Sequence, residues 1–305
     1  MTRCFDCGFF KAGKAKVDHS HCTNEYRPRK SRKLEKSGDI EVCKLFKRPE
    51  TLAQVTARIG VPKLTIRYIP LHVYVNWMKT DKYFSYVRYG DGEWKGLLRE
   101  SGRNGRAHLI TPEFHRDMLL TLFKNKDNFS VMFGLQRNTY RAEGRQEQID
   151  SFVVANDLVN IPWVSAETFH HASRDGILFP FIEEARKRES VVIGPEFLKV
   201  LRESVFPEMH FVEVLHADCY QEKDRVIDEV SNIQGQIGDN AIYMFATGPV
   251  AEVFILELQE MFPNNFFIDV GSLFDIFVGQ RTRKYTQDKI NYTEEILKRN
   301  LGEIA

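Results

Sequence analysis

Short apolar runs alternate with longer amphipathic segments from about residue 80 onward. Several of these runs are almost continuously apolar, which is typical of parallel strands that are buried on both faces. The predicted strands are 84–89, 130–135, 190–193, 210–215, 241–246 and 265–270. Apolar residues at helical spacing predict helices between them, including 147–159 and 250–262. This alternation predicts an α/β fold with an open, mostly parallel sheet flanked by helices.

The first predicted strand ends in a cluster of charged residues and glycines. Ligands of such sheets bind beyond the carboxyl ends of the strands. Asp91 and Glu93 offer oxygen ligands suited to Mg²⁺ or Mn²⁺, and Arg88 adds a positive charge. Gly90 and Gly92 would let backbone N–H groups approach an anion closely. A hairpin turn is the alternative, because Asp-Gly is a common turn dipeptide.

Two further predicted strands end in Gly-Pro, at Gly194 and at Thr247-Gly248. Each would begin a helix, and a helix N-terminus can hold a phosphate. The alternative is an ordinary strand-to-helix turn, because neither segment has a Walker lysine or a three-glycine dinucleotide motif.

Two aspartates follow the last predicted strand. Asp269 is at the strand end, and Asp275 falls in the next predicted helix. Either could contact a ribose, coordinate a metal or act as a base, or it could simply cap a helix. The basic stretch 281–285 could face a phosphate. We interpret His170, His171 and His210 as core or surface histidines, because they have no partners at ligand spacing.

Cysteine usage singles out the first part of the chain. Four of the five cysteines, Cys4, Cys7, Cys22 and Cys43, lie in it, and together they could bind tetrahedral Zn²⁺. His19 or His21 could replace one of these ligands, and disulfides or free thiols are the alternatives. The basic stretch 27–33 could contact nucleic acid or another anionic surface, or it could be a solvated loop.

Charge divides the chain in the same place. The 305 residues carry a net charge of +1, but 13 basic and 6 acidic residues in 1–48 leave +7 there and −6 in the rest. We therefore predict a zinc module at 1–48, a connecting segment at 49–79 and an α/β domain at 80–305. The hydrophobic content of 43% argues against wholesale disorder. No apolar run is long enough for a membrane span, and no secretory signal is recognisable, so we expect a cytoplasmic protein.

Four segments together resemble a known family. The hexapeptide 88–93, the Gly-Pro pairs at 194–195 and 248–249, and the segment 269–275 are similar to motifs of the GT-D-fold glycosyltransferases, formerly a domain of unknown function. The resemblance covers roughly residues 75–285 and leaves out the cysteine-rich part.

The resemblance implies a Rossmann-like domain that transfers a sugar from a nucleotide donor, with UDP-sugars favoured. Asp91 and Glu93 would hold Mn²⁺ or Mg²⁺ on the donor diphosphate, and Arg88 would help to stabilise the charge of the leaving group. An inverting reaction would need a base, for which Asp269 and Asp275 are the candidates. The acceptor could be a nucleic acid, a protein or a glycan, and the oligomeric state is open.

Two other classes of function fit parts of the sequence. A carboxylate pair with Mg²⁺ also suits a phosphoryl-transfer or nuclease-like enzyme, which would need a second dense carboxylate cluster. A nucleic-acid-binding protein would instead use the basic zinc module, with the α/β domain as a scaffold.

Overall fold

The computed structural model describes residues 64–98, 103–104, 108–136, 145–287 and 291–304. The predicted zinc module, with its ligands Cys4, Cys7, Cys22 and Cys43 and the alternatives His19 and His21, lies outside the described residues.

A seven-stranded sheet forms the centre of the domain. Its strands are β1 (Ser85–Tyr89), β4 (Val131–Leu135), β5 (Val164–Ser165), β6 (Ser190–Gly194), β7 (His210–Glu213), β8 (Ile242–Phe245) and β9 (Phe266–Asp269). Their order is β5-β4-β1-β9-β8-β6-β7, and every neighbouring pair is parallel. The short strands β2 (Arg103–Asn104) and β3 (His108–Leu109) pair separately and antiparallel. The predicted α/β fold is confirmed, and β5 is a strand that the hydrophobic pattern did not indicate.

Helices cover both faces of the sheet. They are α1 (Leu71–Lys79), α2 (Asp91–Leu97), α3 (Pro112–Asn125), α4 (Arg145–Ala155), α5 (Thr168–Arg174), α6 (Phe179–Arg186), α7 (Leu201–Ser204), α8 (Lys223–Ile237), α9 (Ala251–Met261), α10 (Lys284–Gln287) and α11 (Glu294–Leu301). Single 3-10 turns lie at Glu196–Val200, Cys219–Glu222, Gly248–Val250 and Asp275–Val278.

The sheet separates two apolar cores. Successive strand side chains point to opposite faces, so Val87 of β1 enters one core and Tyr86 the other. The first core holds most of the buried residues of α3 and α9, and the second those of α1 and α6. Helix α9 is apolar almost all round because it packs between β1, β9 and α3.

Residues 64–79, in the second half of the predicted connecting segment, pack on this body. Arg67 forms a parallel bridge with Val164 at the edge of the sheet. Tyr74 and Met78 of α1 are fully buried in the second core.

Strand β1 is the third of the seven strands across the sheet. From it the chain passes to β4 and β5 on one side, whereas β9, β8, β6 and β7 occupy the other. In open parallel sheets, a ligand crevice forms beyond the carboxyl ends of the strands where the order changes direction. A ligand site is therefore expected at the boundary between β1 and β9.

Candidate functional site

A cleft of about 350 Å³ opens at the carboxyl ends of β1 and β9. Its walls come from the start of α2, the end of β4, helix α5 and the segment around residues 283–285. Arg88, Gly90, Asp91, Glu93 and Asp269 all line it, although β1 and β9 are far apart in the chain. The structure thus brings together residues that the sequence singled out at two separate strand ends.

Arg88 lies across the floor of the cleft. Its Nε donates a hydrogen bond to the carbonyl oxygen of Ala166 at 2.9 Å. Its Nη1 is 3.9 Å from Oδ2 of Asp269, and its Nη2 is 3.9 Å from Oε1 of Glu167. Burial works to lower the pKa of the Arg88 guanidinium, but Asp269 and then Glu167 outweigh it and hold the pKa above its ordinary value. Arg88 is therefore a fixed cation.

The glycine-rich segment after β1 begins helix α2 instead of closing a hairpin. Oε2 of Glu93 accepts a hydrogen bond from the backbone N–H of Gly90 at 2.7 Å, which satisfies one of the unpaired donors at the helix start. Asp91 projects outward: its side chain is 69% exposed and lies 3.8 Å from Nζ of Lys95. Gly92 is buried inside α2. The Asp-x-Glu pair thus has one exposed and one anchored carboxylate.

Three carboxyl groups crowd around the backbone and side chain of Arg88. Asp269 is buried, and its Oδ1 accepts a hydrogen bond from Gly271 N at 2.8 Å. Burial raises the pKa of Asp269, against the opposing effects of Arg88 and the Gly271 N–H. Burial and the charge of Asp269 raise the pKa of Glu93.

Glu252 is the third of these groups, and no local sequence pattern pointed to it. It lies on α9 at 1% exposure, and its Oε1 accepts the Arg88 backbone N–H at 3.4 Å. Its Oε2 has no hydrogen-bond partner among the described residues. Burial, and then the charges of Glu93 and Asp269, raise the pKa of Glu252 well above its ordinary value. Like charges this close disfavour simultaneous ionisation, so the cluster favours a bound cation or a retained proton.

The other residues selected from sequence have different surroundings. Asp275 begins a 3-10 turn outside the cleft, and its Oδ2 accepts a hydrogen bond from Thr282 Oγ1 at 2.5 Å. Gly194 lies against Leu198 and Ala246, away from the cleft. Thr247 is buried, and its Oγ1 has no partner among the described residues. Gly248 does line the cleft, with a positive φ of 60°.

Helix α5 supplies cleft residues that sequence reasoning had assigned to the core or the surface. His170 and His171 both line the cleft, together with Arg174 of the same helix. His170 and Arg174 are four residues apart, a spacing that places both on one face of the helix. That spacing was the available sequence signal.

The carboxylates at the start of α2 suit a hard cation in their chemistry. Within the described ranges, no group of three or more His, Cys, Asp or Glu side chains converges as a metal cage. Mg²⁺ commonly binds through one or two carboxylates plus substrate phosphates and keeps several waters. Asp91 and Glu93 therefore fit a Mg²⁺ or Mn²⁺ ion of this kind.

Solved structures resemble the chain over most of its length. One, described as a domain of unknown function 1792 with a distinct glycosyltransferase fold, has a TM-score of 0.51 and 12% identity over 82% of this chain and 96% of its own. A selenomethionine structure of a domain of unknown function 1792 has a TM-score of 0.53 and 12% identity, over 81% and 98%. A third, described as a new glycosyltransferase from Streptococcus sanguinis, has a TM-score of 0.50 and 15% identity, over 73% and 92%. The chain shares their fold.

Other comparisons add no assignment. No family model and no curated protein matches the chain. Among the described residues, no helix is both long and apolar enough to span a bilayer.

Proposed function

We propose that the protein is a metal-dependent glycosyltransferase, which moves a sugar from a nucleotide-sugar donor, with UDP-sugars favoured, to an acceptor hydroxyl. One observation carries the proposal: Arg88, Asp91, Glu93 and Asp269 meet in one cleft at the carboxyl ends of β1 and β9. The likeness in fold to structures described as glycosyltransferases supports it.

The chemistry of sugar transfer matches these side chains. As the bond between the sugar and the diphosphate breaks, negative charge develops on the departing diphosphate. Arg88 is held in place by its hydrogen bond to Ala166 and would stabilise that charge without reorganising. A Mn²⁺ or Mg²⁺ ion held by Asp91 and Glu93 would supply further charge neutralisation.

The geometry favours Asp269 over Asp275 as the group that accepts the acceptor's proton. Asp269 lines the cleft, whereas Asp275 lies outside it and is bonded to Thr282. In an inverting reaction, the acceptor oxygen would bond to the anomeric carbon, its proton would pass to the Asp269 carboxylate, and the nucleoside diphosphate would leave. Burial raises the pKa of Asp269, which makes its carboxylate a better proton acceptor than an exposed one.

A donor screen tests the reaction class. We expect Mn²⁺-dependent hydrolysis of, or transfer from, a sugar nucleotide in a panel of UDP-, GDP- and TDP-sugars. Asp91→Asn and Glu93→Gln should each lower this activity by about a hundredfold or more, because each removes a charge that holds the cation. Asp228→Asn, at an exposed position on α8, is the matched control and should keep full activity.

Two results would contradict the proposal. Neither turnover nor a thermal shift with any sugar nucleotide would remove the glycosyltransferase function. Full activity of both Asp91→Asn and Glu93→Gln would show that the segment after β1 is only a strand-to-helix connection.

We also propose that Cys4, Cys7, Cys22 and Cys43 bind Zn²⁺ and that residues 1–48 recognise the acceptor, with nucleic acid considered first because of the basic stretch 27–33. We expect elemental analysis to find about one zinc per chain. Deletion of 1–48 should abolish transfer to the acceptor and leave donor hydrolysis intact. A metal-free protein of unchanged stability would refute the zinc module.

A further inference from the structure

A second group of polar side chains lines the cleft, apart from the carboxylates and Arg88. Arg174 and His170 come from α5, Arg283 directly precedes α10, and Tyr285 lies in α10. We call these four residues the basic wall. The catalytic proposal above gives none of them a role.

The two arginines of the basic wall have charge available for a ligand. Arg88 is already engaged by two carboxylates. Arg174, in contrast, pairs among described residues with its exposed neighbour Asp175, at 3.7 Å, and an exposed ion pair of this kind is worth little. The Arg283 side chain makes no ion pair with the part of the chain that the structure describes.

His170 has a buried ring nitrogen without a hydrogen-bond partner among the described residues. It is 6% exposed, its ring lies edge-on to that of Tyr285 at 5.9 Å, and its Nδ1 has no hydrogen-bond partner among the described residues. A buried polar atom without a hydrogen-bond partner is unfavourable, and a ligand that bonds to the ring would relieve part of this cost. Burial, and then the nearby charges of Arg88, His171 and Arg283, hold the pKa of His170 well below its ordinary value. The positive surroundings that disfavour an imidazolium favour an anion.

The segment that carries Arg283 is held by specific hydrogen bonds. Thr286 Oγ1 donates to the Arg283 carbonyl oxygen at 2.7 Å and accepts from the Arg283 N–H at 3.1 Å. Arg281 donates to the carbonyl oxygens of Thr286 and Tyr292. The Tyr285 hydroxyl bonds with Ser272 Oγ at 2.8 Å, which ties the segment to the loop after β9. Arg283 is thus positioned beside the floor of the cleft by the fold.

We propose that the basic wall binds the phosphoryl groups of an anionic ligand, namely the diphosphate of the donor, an assignment that rests on the proposed function. Arg174 and Arg283 pair with phosphate oxygens, and His170 hydrogen-bonds to the same ligand. Asp91 and Glu93 would hold the cation, and the basic wall would neutralise the charge of the diphosphate. A cation held by Asp91 and Glu93 would offset the repulsion between these carboxylates and the phosphates.

Binding of inorganic pyrophosphate, UDP and uridine to the full chain tests the assignment by calorimetry, without turnover. Arg174→Gln, Arg283→Gln and His170→Gln should each weaken pyrophosphate and UDP by about tenfold, the effect of losing one hydrogen bond to a charged group. Uridine has no phosphate, so its affinity should not change. Arg225→Gln, which removes an exposed arginine of α8 outside the cleft, is the matched control.

Removing the metal ion distinguishes the effect of the carboxylates on pyrophosphate binding from that of the basic wall. With EDTA present, Asp91→Asn should bind pyrophosphate at least as well as the wild type, because a repelling charge is gone, whereas Arg283→Gln should still bind it more weakly. The proposal is overturned if the wild type does not bind pyrophosphate, or if all three wall variants bind it within about twofold of the wild type. Wall-dependent pyrophosphate binding by a chain that gives neither turnover nor a thermal shift with any sugar nucleotide would keep the phosphoryl site and refute the glycosyltransferase function.

Discussion

At the carboxyl edge of the sheet, β1 and β9 end among charged side chains, whereas β6 ends among apolar ones. Arg88 and Asp269 meet at the first place, and Gly194 packs against Leu198 and Ala246 at the second. Both places have a glycine after an apolar strand, the feature that drew attention to them in the sequence. The difference shows that the glycine marks the strand-to-helix turn, and that buried charge marks the candidate site.

The largest effect should come from replacing Arg88, whose guanidinium pairs with the buried Asp269 and the partly buried Glu167. Arg88→Met leaves Asp269 and Glu167 without their partner, and breaking a buried pair this way costs about 3–5 kcal/mol. Urea unfolding measures the loss, and Arg225→Met provides an exposed control. Adding Asp269→Asn to Arg88→Met should recover part of the loss. A loss in Arg88→Met no larger than that of the control would show that the carboxylates do not depend on Arg88.

Alanine substitutions in the two Gly-Pro turns should differ in their effects on stability and on UDP binding. A side chain at Gly248 would adopt a positive φ and meet the ring of His108, so Gly248→Ala should cost about 2 kcal/mol and weaken UDP binding. Gly194→Ala meets the flexible end of Leu198, and it should cost about 1 kcal/mol and leave UDP binding unchanged. Chemical unfolding and calorimetry measure both. Equal effects of the two variants on UDP binding would erase the distinction between the turns.

The smallest effect should be a pH-dependent gain in the thermal stability of the Glu252→Gln variant. The pKa of Glu252 is raised in the folded protein, so the folded state holds a proton that the unfolded state has already lost. The stability that the protonated Glu252 contributes to the fold is present at low pH and is lost as the pH rises through the raised pKa. Glutamine does not ionise, so Glu252→Gln avoids this loss. Its Tm should equal that of the wild type at about pH 4 and exceed it at about pH 8.

Thermal unfolding at both pH values checks this expectation. Glu260→Gln, at an exposed position of the same helix, is the matched control and should change little at either pH. A Tm of Glu252→Gln below that of the wild type at the higher pH would show that the ionised carboxylate stabilises the fold, for which a nearby cation is the physical reason.

Much of the fold could be predicted because its signals are local. Continuous apolar runs marked six of the seven strands of the sheet, and β5 was missed because it has only two residues, Val164 and Ser165. Asp91 and Glu93 were found because glycines, carboxylates and a strand end are adjacent in the chain. Asp275 shows the limit of this reasoning. It is close in sequence to the cleft residue Asp269, but it lies outside the cleft and accepts a hydrogen bond from Thr282.

The residues missed by sequence reasoning have local patterns that point elsewhere. Glu252 lies between Ala251 and Val253 in a buried helix, and it reaches Arg88 only because α9 packs on β1. His170 likewise occupies the buried face of a short helix. Glu252 is 164 residues from Arg88, and His170 contacts the distant Tyr285, so no local pattern records either contact.

The sequence by itself determined the α/β class, most strand positions and the carboxylate pair at the start of α2, because side-chain periodicity and turn chemistry act over a few residues. The tertiary structure alone decided that β1 pairs with β9, and this pairing places Asp269 beside Arg88 and surrounds both with Glu93, Glu252 and the basic wall. The physical reason is that the partner of a parallel strand is chosen by packing across the whole sheet. The pairing of β1 with β9 therefore determines which charged side chains meet in the cleft.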